Sequence, residues 1–171
     1  GGVMRMAPVA IGSLGDDRLM QTWALQQARL THNHPLSDAA CIAVGRMVHK
    51  AMTGASKMAL KTIADDLVTD HPKFRHRPYL GNSSAYVVDT MQTVLHYFFS
   101  TNSFETCLIG VVNQGGDADT TGAIAGLIAG AFYGMTGLPS RWLKRLDKGV
   151  RKEAIQLSHD LVNSSPLAAS R

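Results

Sequence analysis

The chain has 171 residues, of which 45% are hydrophobic, and its formal net charge is +4 at pH 7. This length allows one domain with a sizeable core, and the composition excludes an intrinsically disordered chain. The charge is too small, and the basic residues too dispersed, to indicate nucleic-acid binding by themselves. Cys41 and Cys107 form no CxxC pair and lie in apolar helical patterns, so we expect two buried thiols in a reducing, cytoplasmic compartment.

In chain order, the first half of the sequence predicts four helices. Small apolar residues from Val3 to Leu14 predict the first, and the acidic pair that begins at Asp16 can cap a second that ends near Leu30. The stretch "THNHPLSD" interrupts the pattern, and Asp38 is expected to lead a third helix with apolar residues at helical spacing. Ser56 is expected to begin the fourth.

The second half begins with a predicted loop. The stretch from Asp70 to Ser84 contains prolines, a glycine and many polar groups, and it is long enough to suggest a function. Residues from Ala85 to Phe99 carry the apolar stripe of an amphipathic helix, and another helix is predicted from Ser103 to Asn113. A long uncharged helix follows, then one or two more. The end, about 162–171, is expected to fray.

No segment shows the alternation of a strand, so the fold class is predicted to be all-α. We expect one compact multi-helix bundle that forms a single domain over residues 1–171. The opening "GGVMRMAPVAIG" lacks the charged region and the long apolar core of a secretory signal. It also lacks an initiator Met, and we expect the chain to have been cut from something longer.

The long uncharged helix carries a glycine stripe. Gly122, Gly126, Gly130 and Gly134 recur every four residues, which leaves one helix face without side chains. Each interior glycine costs about 0.5–1 kcal/mol relative to alanine, so close approach of another helix is expected to compensate. Such spacing also occurs in membrane helices, but this segment is short and rich in Gly and Ala. We therefore predict a central, fully buried helix and no transmembrane segment.

Acidic and hydroxyl side chains crowd the start of that helix. Asp117 sits at the predicted N-cap after two glycines, and Asp119 and Thr120 lie in the first turn. Helix capping alone explains one such residue. Two neighbouring carboxylates close to the core repel each other, and a cation would relieve that repulsion. Carboxylate and hydroxyl oxygens suit Mg²⁺ or Mn²⁺, so capping and metal binding both stay open.

Three protein oxygens are too few for an octahedral cation, and the positive end of the helix dipole also opposes one. Further anionic ligands must therefore come from elsewhere. Asp65, Asp66 and Asp70 lie on and just after a helix of surface-like composition and do not look suited to this role. The sequence indicates that part of the site is absent from this chain.

Two aromatic side chains are weaker candidates for ligand contacts. His32 lies at a helix end, where a capping or surface role is the alternative, and neither a zinc motif nor a nucleophile motif accompanies it. Tyr86 begins the amphipathic helix. It is either a core residue or a platform on which a ligand stacks.

Several stretches together resemble one family. "VNQGGDADTTGAIAGLIAGAFYG" is similar to the C-terminal metal-site signature of the ADP-ribosylglycohydrolases. "GGVMRMAP" is similar to the end of that family's Gly-Asn-Gly-x-x-Met-Arg phosphate-binding segment. "THNHPLSDAA" and "MQTVLHY" resemble the branch of the family that is linked to nitrogen fixation. The resemblance extends from Gly1 to about Leu161.

The resemblance implies an all-α fold with a centre of two Mn²⁺ or Mg²⁺ ions. It implies that Asp117, Asp119 and Thr120 are metal ligands, with Asp119 as the bridge between the ions and Asp117 acting in part through bound water. The implied reaction is hydrolysis of the glycosidic bond that joins ADP-ribose to a protein side chain.

The resemblance also implies a binding site for ADP-ribose. Gly2, Val3 and Met4 would meet the phosphates, and His32 and Tyr86 would line the pocket. The branch implies ADP-ribosyl-arginine of the nitrogenase iron protein (dinitrogenase reductase) as the substrate. Its partners would include a PII-type regulatory protein, with peripheral recruitment to a membrane.

The sequence departs from the family in one large respect. Family members carry an N-terminal part with a Gly-Asp-Ala-Leu-Gly-type segment, a metal-binding Glu, a Thr-Asp-Asp cluster and the catalytic acid, and none of these occurs in this sequence. We therefore expect a C-terminal portion that binds Mn²⁺ weakly and is inactive alone, and we assign no catalytic acid or base. The alternatives are a hydrolase for another substrate, a non-catalytic ADP-ribose-binding relative, and a nucleic-acid-binding module that uses the basic residues between Arg141 and Lys152.

Overall fold

A computed structural model describes residues 1–170, and within them it contains helices, turns and loops but no strand. The predicted all-α fold class is therefore confirmed. Ten α-helices follow one another along the chain, together with three short 3₁₀ turns. They are α1 (Met6–Gly12), α2 (Asp17–Arg29), α3 (Pro35–Met52), α4 (Lys57–Asp70), α5 (Val87–Ser100), α6 (Phe104–Asn113), α7 (Ala118–Tyr133), α8 (Ser140–Arg145), α9 (Lys148–Asn163) and α10 (Pro166–Ala169).

Three helices begin at the capping residues that the sequence predicts. The side chains of Asp16, Ser56 and Ser103 each accept a hydrogen bond from the backbone N–H three residues ahead, over 2.9, 3.3 and 3.1 Å. Each bond satisfies one of the free N–H groups at a helix start, which is why these residue types mark helix boundaries.

The third helix begins three residues earlier than predicted. Nδ1 of His34 accepts a hydrogen bond from the Leu36 N–H over 3.1 Å, and Pro35 occupies the first helical position. Proline is well suited to that position because its fixed φ is helical and the missing N–H would be free anyway. Asp38, the predicted leader, instead lies in the first turn and pairs with Arg29.

The centre of the bundle is α3, which packs against α1, α2, α4, α5 and α7. The prediction that α7 is the fully buried central helix is wrong. One face of α7 is buried through Ile124, Ala125, Ile128 and Ala129, whereas Ala123 is exposed. α7 is thus buried on one side only, like an amphipathic helix, although its exposed side carries no stripe of polar residues.

The glycine stripe of α7 faces α6. A Cβ atom added to Gly122, Gly126 or Gly130 would have a side chain of α6 as its nearest neighbour. In that order, the three neighbours are Val112, Leu108 and Phe104. These residues are spaced by four along α6, so the two helices pack antiparallel with the stripe as their contact surface.

Alanine is expected to improve one position of this stripe. The Cβ of a Gly126→Ala variant would lie 3.9 Å from Leu108, an ordinary van der Waals contact. We expect a gain of about 0.5–1 kcal/mol in the free energy of unfolding, because alanine has the higher helix propensity. Thermal and urea denaturation measure it. In Gly122→Ala, a Cβ only 3.3 Å from Val112 should reduce the gain, and a loss of stability in Gly126→Ala would contradict this packing.

Both cysteines are buried and free, as predicted. Burial raises the pKa of the Cys41 thiol to about 12, so this group is protonated near neutral pH. Within residues 1–170, no helix has the length and apolar character that crossing a membrane requires.

The end of the chain packs against the first helix, whereas the sequence predicts fraying from about residue 162. Ser165 is 1% exposed, and the Leu167 N–H donates to the Leu14 carbonyl over 2.8 Å. This contact between distant segments gives the last helix a tertiary anchor that local sequence does not reveal. Arg171 lies outside the described residues.

Candidate functional site

The candidate site is built around the loop that joins α6 to α7. Gly115 and Gly116 both adopt positive φ angles, 77° and 62°. A Cβ atom on Gly116 would lie only 1.9 Å from the carbonyl oxygen of Ser83, so only glycine allows the two backbones to meet. The turn before α7 is therefore pressed against the long loop that precedes α5.

Side-chain hydrogen bonds fasten the same two loops together. Ser83 Oγ donates to the Gly115 carbonyl over 3.0 Å, and Gln114 Nε2 donates to the Gly81 carbonyl over 2.8 Å. Tyr97 of α5 donates its hydroxyl proton to Gln114 Oε1 over 2.8 Å. The start of α7 is thus held by the loop, as expected of a loop with a function, rather than by α6 alone.

Asp117 occupies the N-cap position of α7, but its side chain makes no capping hydrogen bond. The pKa of Asp119 lies below its ordinary value, and the largest cause is the neighbouring Asp117 side chain, followed by the local backbone N–H groups of Asp119 and Thr120. Asp119 is exposed, and Asp117 is half-buried. Simple capping, the open alternative of the sequence, does not account for the Asp117 side chain.

A cavity of about 210 Å³ lies beside the first turn of α7. It is enclosed by the chain start, the α2–α3 connection, the start of α5 and α7 itself. Twelve residues line it: Gly1, Gly2, Val3, His32, His34, Ser37, Ala85, Tyr86, Val87, Thr90, Thr120 and Ile124.

This cavity brings together most of the residues that the sequence singles out. Gly2, Val3, His32, Tyr86 and Thr120 all line it, although they come from four separate segments. Tyr86 is 48% exposed, so it is not a core residue, and its ring is accessible to a ligand.

The other three predicted residues lie next to the lining. Met4 is in contact with the lining residue Thr120, since the Thr120 hydroxyl points at the Met4 sulfur over 3.4 Å. Asp119 directly precedes Thr120 in the chain, and Asp117 is two residues further back.

Sequence reasoning missed the polar groups in the cavity wall. Ser37 and Thr90 are 7% and 2% exposed and belong to α3 and α5. Both lie among apolar positions of their helices, which is the one signal that could have found them. The ring of His34 caps α3 beside the cavity.

The oxygens at the start of α7 fit one side of a divalent cation site. Two carboxyl groups and a hydroxyl are the hard donors that Mg²⁺ and Mn²⁺ prefer. Within residues 1–170, however, no three His, Cys, Asp or Glu side chains converge into a metal-binding group. The acidic residues of α4 therefore do not complete the set, as the sequence indicates.

Known proteins resemble this chain over most of its length. A sequence model of the ADP-ribosylglycohydrolase family matches residues 1–170. A relative from Rhodospirillum rubrum, ADP-ribosyl-[dinitrogen reductase] glycohydrolase, is 56% identical over 153 residues, which cover 90% of this chain and 52% of the relative. The ADP-ribosylarginine hydrolase Tri1 from Pseudomonas putida (strain GB-1) is 30% identical over 161 residues, which cover 85% of this chain and 41% of Tri1.

A solved structure has the same arrangement of helices. It is described as an ADP-ribosylglycohydrolase-related protein complex and superimposes with a TM-score of 0.83 at 30% identity, covering 95% of this chain and 59% of that one. This chain spans about half the length of the relatives it matches in sequence. Because the family model matches nearly every residue, the chain belongs to the ADP-ribosylglycohydrolase family.

Proposed function

We propose that this chain provides the ADP-ribose pocket and one side of a two-metal centre in a hydrolase that removes ADP-ribose from an arginine of the nitrogenase iron protein. The observation that carries the proposal is the shared cavity, where Gly2, His32 and Tyr86 meet Thr120. The identity with the Rhodospirillum rubrum relative supports the iron protein as the substrate. The likeness to Tri1, an ADP-ribosylarginine hydrolase, supports arginine as the acceptor.

The size and lining of the cavity suit one part of ADP-ribose. At about 210 Å³, it is smaller than the roughly 300–1,000 Å³ of typical ligand sites, so part of the ligand would lie outside it. The exposed ring of Tyr86 can stack on a flat or apolar portion of the ligand. The backbone of Gly2 and Val3 forms part of the lining, and the Ser37 hydroxyl offers a hydrogen bond. The Thr90 hydroxyl donates to the Ser84 carbonyl over 2.9 Å and can accept a further hydrogen bond from a ligand.

Asp117, Asp119 and Thr120 would hold the divalent cations through their carboxylate and hydroxyl oxygens. Bound divalent cations supply polarisation of ribose hydroxyls and activation of a water. In the overall reaction, the hydroxyl of a water molecule adds to C1″ of the ribose while the bond to the arginine nitrogen breaks, and the guanidine leaves with the remaining proton of that water. The residues of this chain contribute ligand oxygens and substrate orientation, and the proton donor stays unassigned.

Binding measurements on the 171-residue chain test the proposal directly. Calorimetry with ADP-ribose and electron paramagnetic resonance with Mn²⁺ should both show binding, with Mn²⁺ bound weakly because few ligands are present. Hydrolysis of ADP-ribosylated iron protein by this chain alone should be undetectable. Robust hydrolysis by the chain alone would contradict the divided site, and absence of ADP-ribose binding would contradict the pocket.

Tyr86 provides the sharpest test of the pocket. Replacing it with leucine removes the aromatic ring, and stacking of a base on an aromatic side chain contributes about 1–3 kcal/mol. We therefore expect the Kd for ADP-ribose in Tyr86→Leu to rise by about 5-fold or more in calorimetry. Tyr86→Phe keeps the ring and is the matched control, with a Kd near that of the wild type. Equal affinities in all three proteins would exclude stacking on Tyr86.

Recruitment of the protein by a PII-type regulator, peripheral attachment to a membrane and a cytoplasmic location remain predictions that rest on the family resemblance. A non-catalytic ADP-ribose-binding relative is the second candidate function. It predicts ADP-ribose binding without any dependence on Asp119, which calorimetry with ADP-ribose on the Asp119→Ala variant decides.

A further inference from the structure

We propose that Arg5 and Thr31 are positioning residues that fix the ring of His32, with Nδ1 as a hydrogen-bond acceptor and the Nε2–H free to donate to a ligand. The inference rests on the proposed function in one respect, namely that the cavity lined by His32 binds ADP-ribose. The orientation of the ring is itself independent of that assignment.

The Arg5 guanidinium is held in place by three hydrogen bonds. Its Nη2 donates to the Gln27 carbonyl over 3.0 Å and to Thr31 Oγ1 over 2.8 Å, and its Nε donates to Gln27 Oε1 over 3.2 Å. Three bonds from one planar fork hold both the arginine and the end of α2 in a single geometry. Lysine, with a point charge, cannot reproduce this fork.

The Thr31 hydroxyl lies between Arg5 and His32, and its proton determines the tautomer of the His32 ring. Arginine can only donate, so Thr31 Oγ1 accepts from Arg5 and keeps its own hydroxyl proton for another partner. His32 Nδ1 lies 2.7 Å from the same oxygen, and these two are the partners that Thr31 Oγ1 has within residues 1–170. Donation from the hydroxyl to Nδ1 satisfies all three groups. If His32 Nδ1 were protonated, Thr31 Oγ1 would instead face two donors, Arg5 Nη2 and His32 Nδ1. The hydroxyl proton of Thr31 would then have no protein acceptor.

The same arginine is also linked to a second part of the cavity lining, at Gly2. Gln27 receives two of the Arg5 bonds, and its own Nε2 donates to the Gly2 carbonyl over 2.9 Å. Gly2 and His32 both line the cavity. Arg5 therefore holds two lining residues in place without lining the cavity itself. Gln27 connects it to Gly2, and Thr31 connects it to His32.

The tautomer of His32 decides which ligand atoms its ring can recognise. A neutral imidazole whose Nδ1 is already occupied offers one N–H, on Nε2, to an incoming acceptor. Phosphate and ribose oxygens are acceptors of this kind, and ADP-ribose carries both. The network thus selects the tautomer that recognises an oxygen and disfavours the tautomer that would accept from a ligand.

Nitrogen NMR of the ¹⁵N-labelled 171-residue chain reads the tautomer, because protonated and unprotonated ring nitrogens differ in chemical shift and in coupling to the ring protons. The chain has seven histidines, and His32→Gln identifies the signals of His32. We expect an unprotonated Nδ1 in the wild type and a mixture of tautomers in Thr31→Val. Thr31→Ser should restore the wild-type signal. Thr22→Val, which removes an exposed hydroxyl bonded only within α2, is the matched control and should change nothing.

Affinity provides the second arm. We expect the Kd for ADP-ribose to rise about 3- to 10-fold in Thr31→Val and in Arg5→Lys, with the wild-type value in Thr31→Ser and Thr22→Val. A protonated Nδ1 in the wild type, or an unchanged His32 spectrum in Thr31→Val, would overturn the proposal. Absence of ADP-ribose binding by a wild-type chain with an unprotonated Nδ1 would overturn the proposed function and leave the positioning of His32 supported.

Discussion

Replacing Asp119 with alanine is expected to abolish hydrolysis, with a loss of at least about 100-fold, because it removes a carboxylate proposed to hold the divalent cations. This chain spans about half of its relatives, so activity is best measured in a chimera. In that chimera, the matched segment of the Rhodospirillum rubrum relative, which is 56% identical, is exchanged for the corresponding residues of this chain. The assay follows release of ADP-ribose from the modified iron protein with Mn²⁺ present.

The controls for Asp119→Ala separate metal binding from charge and folding. Asp66→Ala removes an exposed carboxylate from α4, and it should leave hydrolysis and Mn²⁺ binding unchanged. Asp119→Asn keeps the size of the side chain but weakens the ligand, so its activity should be close to that of Asp119→Ala. A chimera that retains its activity in Asp119→Ala would refute the metal role of Asp119.

Gly116→Ala is expected to destabilise the turn that carries the metal ligands. Gly116 has a φ of 62°, and the added Cβ would lie 1.9 Å from the Ser83 carbonyl oxygen, so the two loops must separate. The left-handed backbone costs a non-glycine residue about 1–2 kcal/mol, and the clash adds to that cost. We expect the free energy of unfolding to fall by more than about 2 kcal/mol, measured by urea denaturation, together with loss of Mn²⁺ binding.

The neighbouring glycine is the matched control for Gly116→Ala. Gly115 has a similar φ of 77°, but a Cβ there would meet no atom within 4 Å. Gly115→Ala should therefore show only the backbone cost, about 1–2 kcal/mol, and keep Mn²⁺ binding. Equal losses in the two variants would mean that the contact with Ser83 does not support the site.

Several elements were predictable because their causes are local. Asp16, Ser56 and Ser103 begin helices through hydrogen bonds that reach three residues along the chain, so the residue types suffice. The start of α3 was misplaced because its cap is a histidine, a residue with weak capping preference, followed by Pro35.

Most residues of the candidate site were predictable from the sequence, but their arrangement around one cavity was not. The motif around Asp119, the opening glycines, His32 and Tyr86 were all named from their residue types and the family resemblance. Ser37 and Thr90 were not, because each occupies a position that is buried only once α3 and α5 pack against the neighbouring segments.

The amino-acid sequence by itself determined the helical class, most helix boundaries and the identity of the motif at the start of α7, since these depend on spacing and on short-range hydrogen bonds. Only the tertiary structure decided that α3 rather than α7 forms the centre of the bundle. The glycine stripe is consistent with a buried or a half-exposed helix, because it shows that one face is contacted and says nothing about the other. The same holds for the cavity, whose walls come from four segments that only packing brings together.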